Sequence, residues 1–393
     1  MLRGIFRRIK TTEKKIKKTE QHLIRITESF NVQMSNLEQS IEKLQNQIDL
    51  LVKENQKLAD QNRKLQDVLA DLSHKSDEFI IEIQMLNEKT ERVNKKNQDV
   101  DRRLGRTERE FDKKLHYYFT KALEPEKYKE ALTEWYNTKM NAYMDLDHPV
   151  TLNEKIQWLK LNDSTPEKTF LADKNRARYW VADKIGDKYL IPVLGIYKKF
   201  DDICFEELPE QFVMKASHGS GWNIVVDDKD KLDLDDTRKK FNCWLSKNFA
   251  FMMGLELHYK NIEPVIVIEK YQPCKFEYQF WCFNGKPEFV SVISKPHGAN
   301  KKITYDLNWN RLDFVTSLPR LETELKKPEK FEEMKKLAKK LCEDFLLVRV
   351  DLFYDQNQIF FNELTFTPGS GTMRWDPPEY DKYWGDRLKL PEL

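Results

Sequence analysis

The sequence predicts an α+β body carried behind a long α-helical coiled coil. Three observations on its 393 residues carry that prediction. All 15 prolines lie at or after Pro125 and all nine tryptophans at or after Trp135, while no glycine interrupts the chain between Gly4 and Gly105. Apolar residues recur at every seventh position through the first hundred. Beyond that point, short strand-like and helix-like stretches alternate, with turn residues between them.

Counted by sevens from Ile16, the stripe runs Leu23, Phe30, Leu37, Leu44, Leu51, Leu58, Leu65, Leu72, Phe79, Leu86, Val93 and Val100. A strict period of seven keeps facing a partner only if the helices supercoil left-handedly, so this is the d column of a coiled coil. Four residues on, the a column includes Met34, Ile41, Ile48, Asn55 and Asn62. Leu at d with Ile and Asn at a favours two parallel strands. The expectation is a homodimer through a continuous helix over 16–104, roughly 130 Å long at ~1.5 Å per residue. Ahead of it, Leu2, Ile5, Phe6 and Ile9 sit at helical spacing among Arg3, Arg7, Arg8 and Lys10. Residues 1–15 therefore read as a basic amphipathic turn suited either to solvent or to peripheral contact with anionic membrane.

Composition excludes several classes. With 67 basic and 65 acidic residues the net charge is +2, which offers no field for nucleic acid. Five cysteines at 204, 243, 274, 282 and 342 are odd in number, scattered and without CxxC spacing. They argue against a disulfide framework or a zinc site and suit a reducing, cytoplasmic compartment. No apolar run approaches 18 residues, and the start lacks a secretory apolar core.

Residues 105–150 read as a helical connector ending at His148-Pro149, and 151–393 as the folded body. Thr151 with Glu154 forms a capping box opening a helix through Leu161. Helices are expected over 174–185 and 331–345. Strands are expected over 212–216, 224–227, 264–271, 278–283, 288–294, 347–354 and 358–363, with Asn284-Gly285 as a hairpin turn.

Four of only 12 glycines crowd into His218-Gly219-Ser220-Gly221 and Pro368-Gly369-Ser370-Gly371. The first follows a strand ending at Lys215, which sets a cation beside exposed backbone N–H groups, a combination that suits polyphosphate oxygens. It is not a Walker loop, because the GxxxxGK[ST] order is absent. Alone, it reads as a hairpin loop between two strands, and it is the company of Lys215 that points to a ligand. A second cluster places Asp351 and Glu363 on two strands of an otherwise apolar ladder, with Arg349 on the face of Asp351. Buried carboxylates need a partner. That partner is either Arg349, as a structural bridge, or a hard cation such as Mg²⁺.

With Lys174, Lys215, the glycine loop, Glu269, Asp351 and Glu363 in this order, the body resembles the ATP-grasp enzymes, and among them the TupA-like branch named for teichuronopeptide biosynthesis. The matching stretches include TLNEKIQWLKL (151–161), QFVMKASHGSGWNI (211–224), YKNIEPVIVIEKY (259–271), VRVDLFY (348–354) and NELTFTPGSG (362–371), within about 110–393. The resemblance implies two α+β lobes clasping ATP. It implies that Lys174 and Lys215 contact the phosphates while the loop of His218, Gly219, Ser220 and Gly221 closes over them. Glu269, Lys270 and Tyr271 would face the adenine and Glu277 the ribose. Asp351 and Glu363 would ligate Mg²⁺, and Arg349 would steady the anionic intermediate. Relatives carry Asn two residues after the metal-binding Glu where this chain has Thr365, which leaves the number of ions open.

The implied activity is ligation of a carboxylate to an amine through an acyl phosphate, on a uronic acid or amino-acid carboxyl in capsule, exopolysaccharide or cell-wall polymer synthesis. Two rivals use other features. A glycosyltransferase would use an Asp-Asp pair (201–202, 227–228 or 235–236) as a DxD-like metal motif, and a non-catalytic scaffold would use the rod alone. Lys295, His297, Lys301 and Lys302 form a basic patch that suits either solvent or an anionic sugar.

Overall fold

The computed structural model describes residues 2–71, 76–294, 300–355 and 357–391. The chain divides into two compact units, one ending at Phe111 and the other beginning at Asp112. Two long helices supply the first, α1 (Leu2–Asp71) and α2 (Ser76–Ala122), the latter running on into the second unit. Leu72 of the apolar stripe lies outside the described residues. No helix among the described residues is long and apolar enough to cross a membrane.

The expected unbroken helix is thus two helices, and within the first unit their stripes face each other. Leu37, Ile41, Leu44 and Ile48 of α1 line one groove with Leu104, Thr107 and Phe111 of α2. Ile48 lies 23 residues before the end of α1 and Leu104 lies 28 residues after the start of α2. At ~1.5 Å per residue these positions can meet only if the helices run antiparallel. The physical reason is that a period-seven stripe requires an apolar partner without specifying whose, and α2 provides one within the chain. Ile9, Ile16 and Leu23, beyond the reach of α2, are about half exposed (48%, 52% and 59%).

In the second unit, α3 (Tyr128–Met140) leads to α4 (Leu152–Asn162), α5 (Pro166–Ala172) and α6 (Ala177–Ile185). The Thr151–Glu154 capping box is complete: Glu154 N–H donates to the Thr151 hydroxyl (3.2 Å) and Thr151 N–H to the Glu154 carboxylate (2.9 Å). A cap of this kind stabilises a helix by ~1 kcal/mol. The helix expected from 174 begins at Ala177, because Asp173 accepts from the N–H of Asn175 and holds 173–176 in a turn.

A small lobe follows. Strands β1 (Val193–Tyr197), β2 (Phe212–Ala216), β3 (Asn223–Val226) and β4 (Ile266–Lys270) form an antiparallel sheet in the order β1-β4-β2-β3. Helix α7 (Leu234–Leu245) packs Phe241 into its core beside Phe212, Met214 and Ile268. The 235–236 acidic pair starts this helix, because Asp233 caps it by accepting from Asp236 N–H (2.9 Å).

The large lobe is a six-stranded antiparallel sheet of β5 (Phe276–Phe283), β6 (Lys286–Ser294), β7 (Lys301–Asp306), β8 (Arg311–Leu312), β10 (Leu347–Asp355) and β11 (Gln358–Thr365), in the order β11-β10-β5-β6-β7-β8. β9 (Val315–Thr316) pairs separately with β12 (Trp375–Asp376), ahead of α9 (Glu379–Gly385). Asn284 and Gly285 turn β5 into β6 with φ of 47° and 74°. Alternation along the strands sorts the sheet's two faces. Val348, Val350, Leu352, Phe280, Val290 and Ile303 pack against α8 (Phe331–Cys342), whose Phe331, Met334 and Leu341 complete the core. Each such side chain contributes ~1.5–3 kcal/mol on burial. The intervening residues, Arg349, Asp351, Gln279, Ser291 and Thr304, point to the opposite face.

Candidate active site

The polar face of the large sheet and the small lobe supply one constellation. Asp351 and Glu363 are register partners on β10 and β11. Asp351 is fully buried, and Arg349 forks onto it, Nε to Oδ1 at 2.8 Å and Nη2 to Oδ2 at 2.6 Å. Burial pushes the Asp351 carboxyl up to about 7, with Arg349 opposing the rise. Burial works against the Arg349 charge too, but Asp351, Glu363 and Glu277 together hold its pKa above the ordinary value. Arg349 also donates to the Thr365 hydroxyl (3.2 Å) and lies 3.9 Å from Glu363. The structural bridge read from the sequence is therefore present on the same carboxylate that suits a cation. Two carboxylates at adjacent register positions, one of them buried, are a donor set that fits a hard divalent ion.

Two lysines reach this face, Lys215 from the small lobe and Lys174 from the turn ahead of α6. Lys215, at the end of β2, lies 2.6 Å from Glu269 of β4 and donates to Asn362 of β11 (3.3 Å). Asn362 in turn donates to Glu277 of β5 (2.8 Å). Lys174 reaches the Gly219 carbonyl and sits 3.7 Å from Glu363. Burial draws its pKa down, against the pull of Glu363. Lys174, Lys215, Glu269, Asn362 and Glu363 line one cleft with Arg178 and Tyr259.

Other expected positions are placed differently. Glu269 is ion-paired on both sides, with Lys215 (2.6 Å) and with Arg178, which also donates a hydrogen bond to it (2.9 Å). Lys270 is exposed and its N–H is taken by Pro192 (2.9 Å), while Tyr271 is half-buried. His218 points into the small lobe, with Nε2 3.0 Å from the Trp244 carbonyl and its ring against Trp222. Gly219 is wedged against Trp222 and Phe249, where a Cβ would overlap both rings. Ser220 and Gly221 are exposed.

Of the basic patch, Lys295 and His297 lie outside the described residues and Lys301 is exposed. Lys302 is buried on the site's own face. Its Nζ donates to the Thr316 hydroxyl (2.8 Å), and its charge feels Arg349, Asp351 and Glu277. The acidic pairs proposed for a DxD-like motif are bound to surface cations: Asp201 to Arg238 (2.8 Å), Asp228 to Lys231 (2.6 Å), Asp235 to Arg238 (3.1 Å) and Asp236 to Lys240 (2.6 Å).

The sequence reading missed Arg178, and it missed that Asn362, which stands just before Glu363, bonds Lys215 and Glu277; these partners are remote in the chain. It also missed a grip on the second glycine cluster. Asn153, Gln157 and Lys160, at i, i+4 and i+7 of α4, are all fully buried. Asn153 bonds the Met373 carbonyl (2.8 Å), Gln157 that of Gly371 (2.7 Å) and Lys160 that of Ser370 (2.9 Å). The helical spacing was a usable signal, since a polar stripe runs beside the apolar one of Leu152, Ile156 and Leu159.

Known proteins resemble the chain as follows. The family model TupA-like ATPgrasp matches residues 154–389, more than half of the chain. Among solved structures, a D-alanine–D-alanine ligase from Bacillus anthracis is 21% identical, with 55% of this chain and 63% of that one covered and a TM-score of 0.34. The same ligase complexed with ATP gives 18%, 50%, 55% and 0.33. An N5-carboxyaminoimidazole synthetase from Staphylococcus aureus gives 17%, 50%, 44% and 0.30. The chain thus spans about half the length of these structures. No curated protein matches it.

Proposed function

Since the chain belongs to the TupA-like ATP-grasp family, we propose that it is an ATP-dependent ligase joining a carboxylate to an amine. The observation that carries the reading is the convergence of Lys174 and Lys215 from the small-lobe side on Glu363 and Asn362 of β11, beside buried Asp351. Cations of one side meeting carboxylates of the other is an arrangement that a magnesium nucleotide triphosphate would complete.

In this reading a carboxylate oxygen of the first substrate takes the γ-phosphoryl group of ATP, and ADP leaves with the electrons of the broken P–O bond. The amine nitrogen then bonds the acyl carbon and gives up a proton, and phosphate departs with the C–O electron pair. Such transfer depends on positioning and charge neutralisation more than on covalent help from the protein. Lys174 and Lys215 hold the phosphates, with Lys215 turning from Glu269 to reach them. Glu269, so released, and the 270–271 backbone face the base, Glu277 faces the ribose, and the His218–Gly221 loop covers the phosphates. Arg349 neutralises the anionic intermediate. Asp351 and Glu363 would hold Mg²⁺, which supplies further neutralisation of phosphate charge.

The carboxylate is assigned to a uronic acid or amino acid of a surface polymer, the class that the family resemblance implies. Ile16 and Leu23, left bare by α2, are assigned to pairing with a second chain, and the basic turn ahead of them to peripheral contact with anionic membrane on its cytoplasmic face. Light scattering and vesicle co-sedimentation of chains with and without residues 2–33 check these two assignments.

The ligase reading is tested by incubating the protein with ATP, Mg²⁺ and pairs drawn from a panel of carboxylates and amines. ADP release that needs both partners is the expected result. Absence of ATP binding, or a nucleotide-sugar requirement without ADP formation, would sink it.

A further inference from the structure

We infer that Gln279, Ser291 and Thr304, with Lys302 beside them, form the subsite for the carboxylate substrate, and that this substrate is a hydroxylated acid. The inference rests on the ligase reading above and adds where the acid sits and what it carries.

The placement follows from register. Glu363, Asp351, Gln279, Ser291 and Thr304 are successive cross-strand partners over β11, β10, β5, β6 and β7. Their chain neighbours Val350, Phe280, Val290 and Ile303 all face α8, so the five polar residues share the other face. The row therefore begins at the two carboxylates of the cation site and runs away from them across three strands.

Its residues are costly to keep without a purpose. Gln279, Ser291 and Thr304 are 8%, 2% and 1% exposed. A buried polar group left unbonded costs ~1–3 kcal/mol, and Val would fill such strand positions without that cost. Ser291 and Thr304 bond each other at 3.3 Å. The amide of Gln279 has no hydrogen-bond partner among the described residues, although it stands next to Asp351 in register. Burial does not set the row apart from the reacting centre, since Asp351 is 0% exposed.

The chemistry selects the ligand. Neighbouring strands lie ~4.8 Å apart, which spaces these side chains like hydroxyls across a sugar ring. Amides and hydroxyls both donate and accept, as ring hydroxyls do. Lys302 lies on the same face two residues from Thr304, and its bond to Thr316 uses one of three ammonium donors. It supplies the cation for a carboxylate. An α-amino acid would need an acidic partner for its ammonium, but in the ligase reading Asp351 and Glu363 are taken by Mg²⁺ and Glu277 by the ribose, and Gln279, Ser291 and Thr304 carry no carboxylate.

The test titrates D-glucuronate, by calorimetry, into the full-length protein saturated with Mg²⁺ and a non-hydrolysable ATP analogue. Wild type is expected to bind D-glucuronate at least tenfold more tightly than cyclohexanecarboxylate. Lys302→Gln and Gln279→Ala should each weaken D-glucuronate at least tenfold while shifting analogue affinity less than twofold. Ser291→Ala, which removes one oxygen, gives a smaller loss in the same direction and covers the case in which a larger change unfolds the protein. Analogue binding without D-glucuronate binding, or variants that bind it as wild type does, overturns the inference and leaves the ligase reading standing. Variants that lose the analogue instead assign the row to the nucleotide, which also overturns it. Failure of wild type to bind the analogue removes the ligase reading itself.

Discussion

Arg349 and Asp351, two positions apart on β10, are joined by a forked ion pair that occupies both carboxylate oxygens. A cation reaching Asp351 must displace the guanidinium, which would then be free to meet an anionic reaction centre. The resident arginine and an incoming metal are in direct competition. Arg349→Gln is therefore predicted to raise affinity for Mn²⁺ about tenfold in the absence of nucleotide. Turnover should fall by about 10²–10³-fold, the usual cost of losing a charge-stabilising donor. Manganese titration followed by electron paramagnetic resonance checks the first part, and unchanged or weaker binding would contradict it.

The two carboxylates should differ in what their loss does to the fold. Glu363→Gln removes turnover with little change in stability, because Glu363 is partly exposed. Asp351→Asn also removes turnover, but it leaves a buried guanidinium without its counter-ion, a loss on the order of 3–5 kcal/mol. Thermal melts beside phosphate-release assays separate the two.

Lys302 sets a pH dependence. Burial draws its pKa down to about 8, with Arg349 pushing the same way and Asp351 and Glu277 opposing. The ammonium is present below that value and lost above it, so affinity for a carboxylate should fall as pH passes about 8. The unfolded chain keeps this proton up to its ordinary lysine value, so Lys302 makes the folded state relatively more stable over the same rise. Lys302→Arg should flatten the affinity profile between pH 7 and 9.5, and an unflattened profile would contradict the assignment.

Gly371 sits at φ +61°, pressed against the amide of Gln157. Gly371→Ala should destabilise by about 2–3 kcal/mol through overpacking and left-handed strain, and should loosen the segment that follows Glu363. Denaturant melts read the first effect, and the KM for carboxylate against that for ATP reads the second.

Tyr117 near the end of α2 belongs to the second unit's core, and its hydroxyl accepts from Asn248 N–H (3.0 Å). A chain beginning at Asp112 should fold and keep its turnover. One beginning at Tyr128 should lose stability measurably. Equal melting temperatures for the two would show that α2 adds nothing to the body.

Much of this was legible in the chain itself. Val350 and Leu352 flanking Asp351 announced a strand with one polar outlier, Thr151 and Glu154 announced a helix start, and the order Lys174, Lys215, Glu269, Asp351, Glu363 announced the family. These are local patterns or spacings, and covalent order preserves them. The partners of those residues were not legible. Arg178 meets Glu269 across 91 positions and Lys215 meets Asn362 across 147, and nothing in either neighbourhood marks the other.

The heptad stripe draws the same line. Its period fixed that α1 would be a helix with one apolar face, because backbone geometry alone turns sequence spacing into a face. Whether a second chain or α2 would cover that face was decided only in the folded chain, where α2 lines a groove with Leu37, Ile41, Leu44 and Ile48. Gln279, Ser291 and Thr304 are single polar letters in three separate strands. Antiparallel pairing made them a row, because register is a property of strands brought together and of no strand alone.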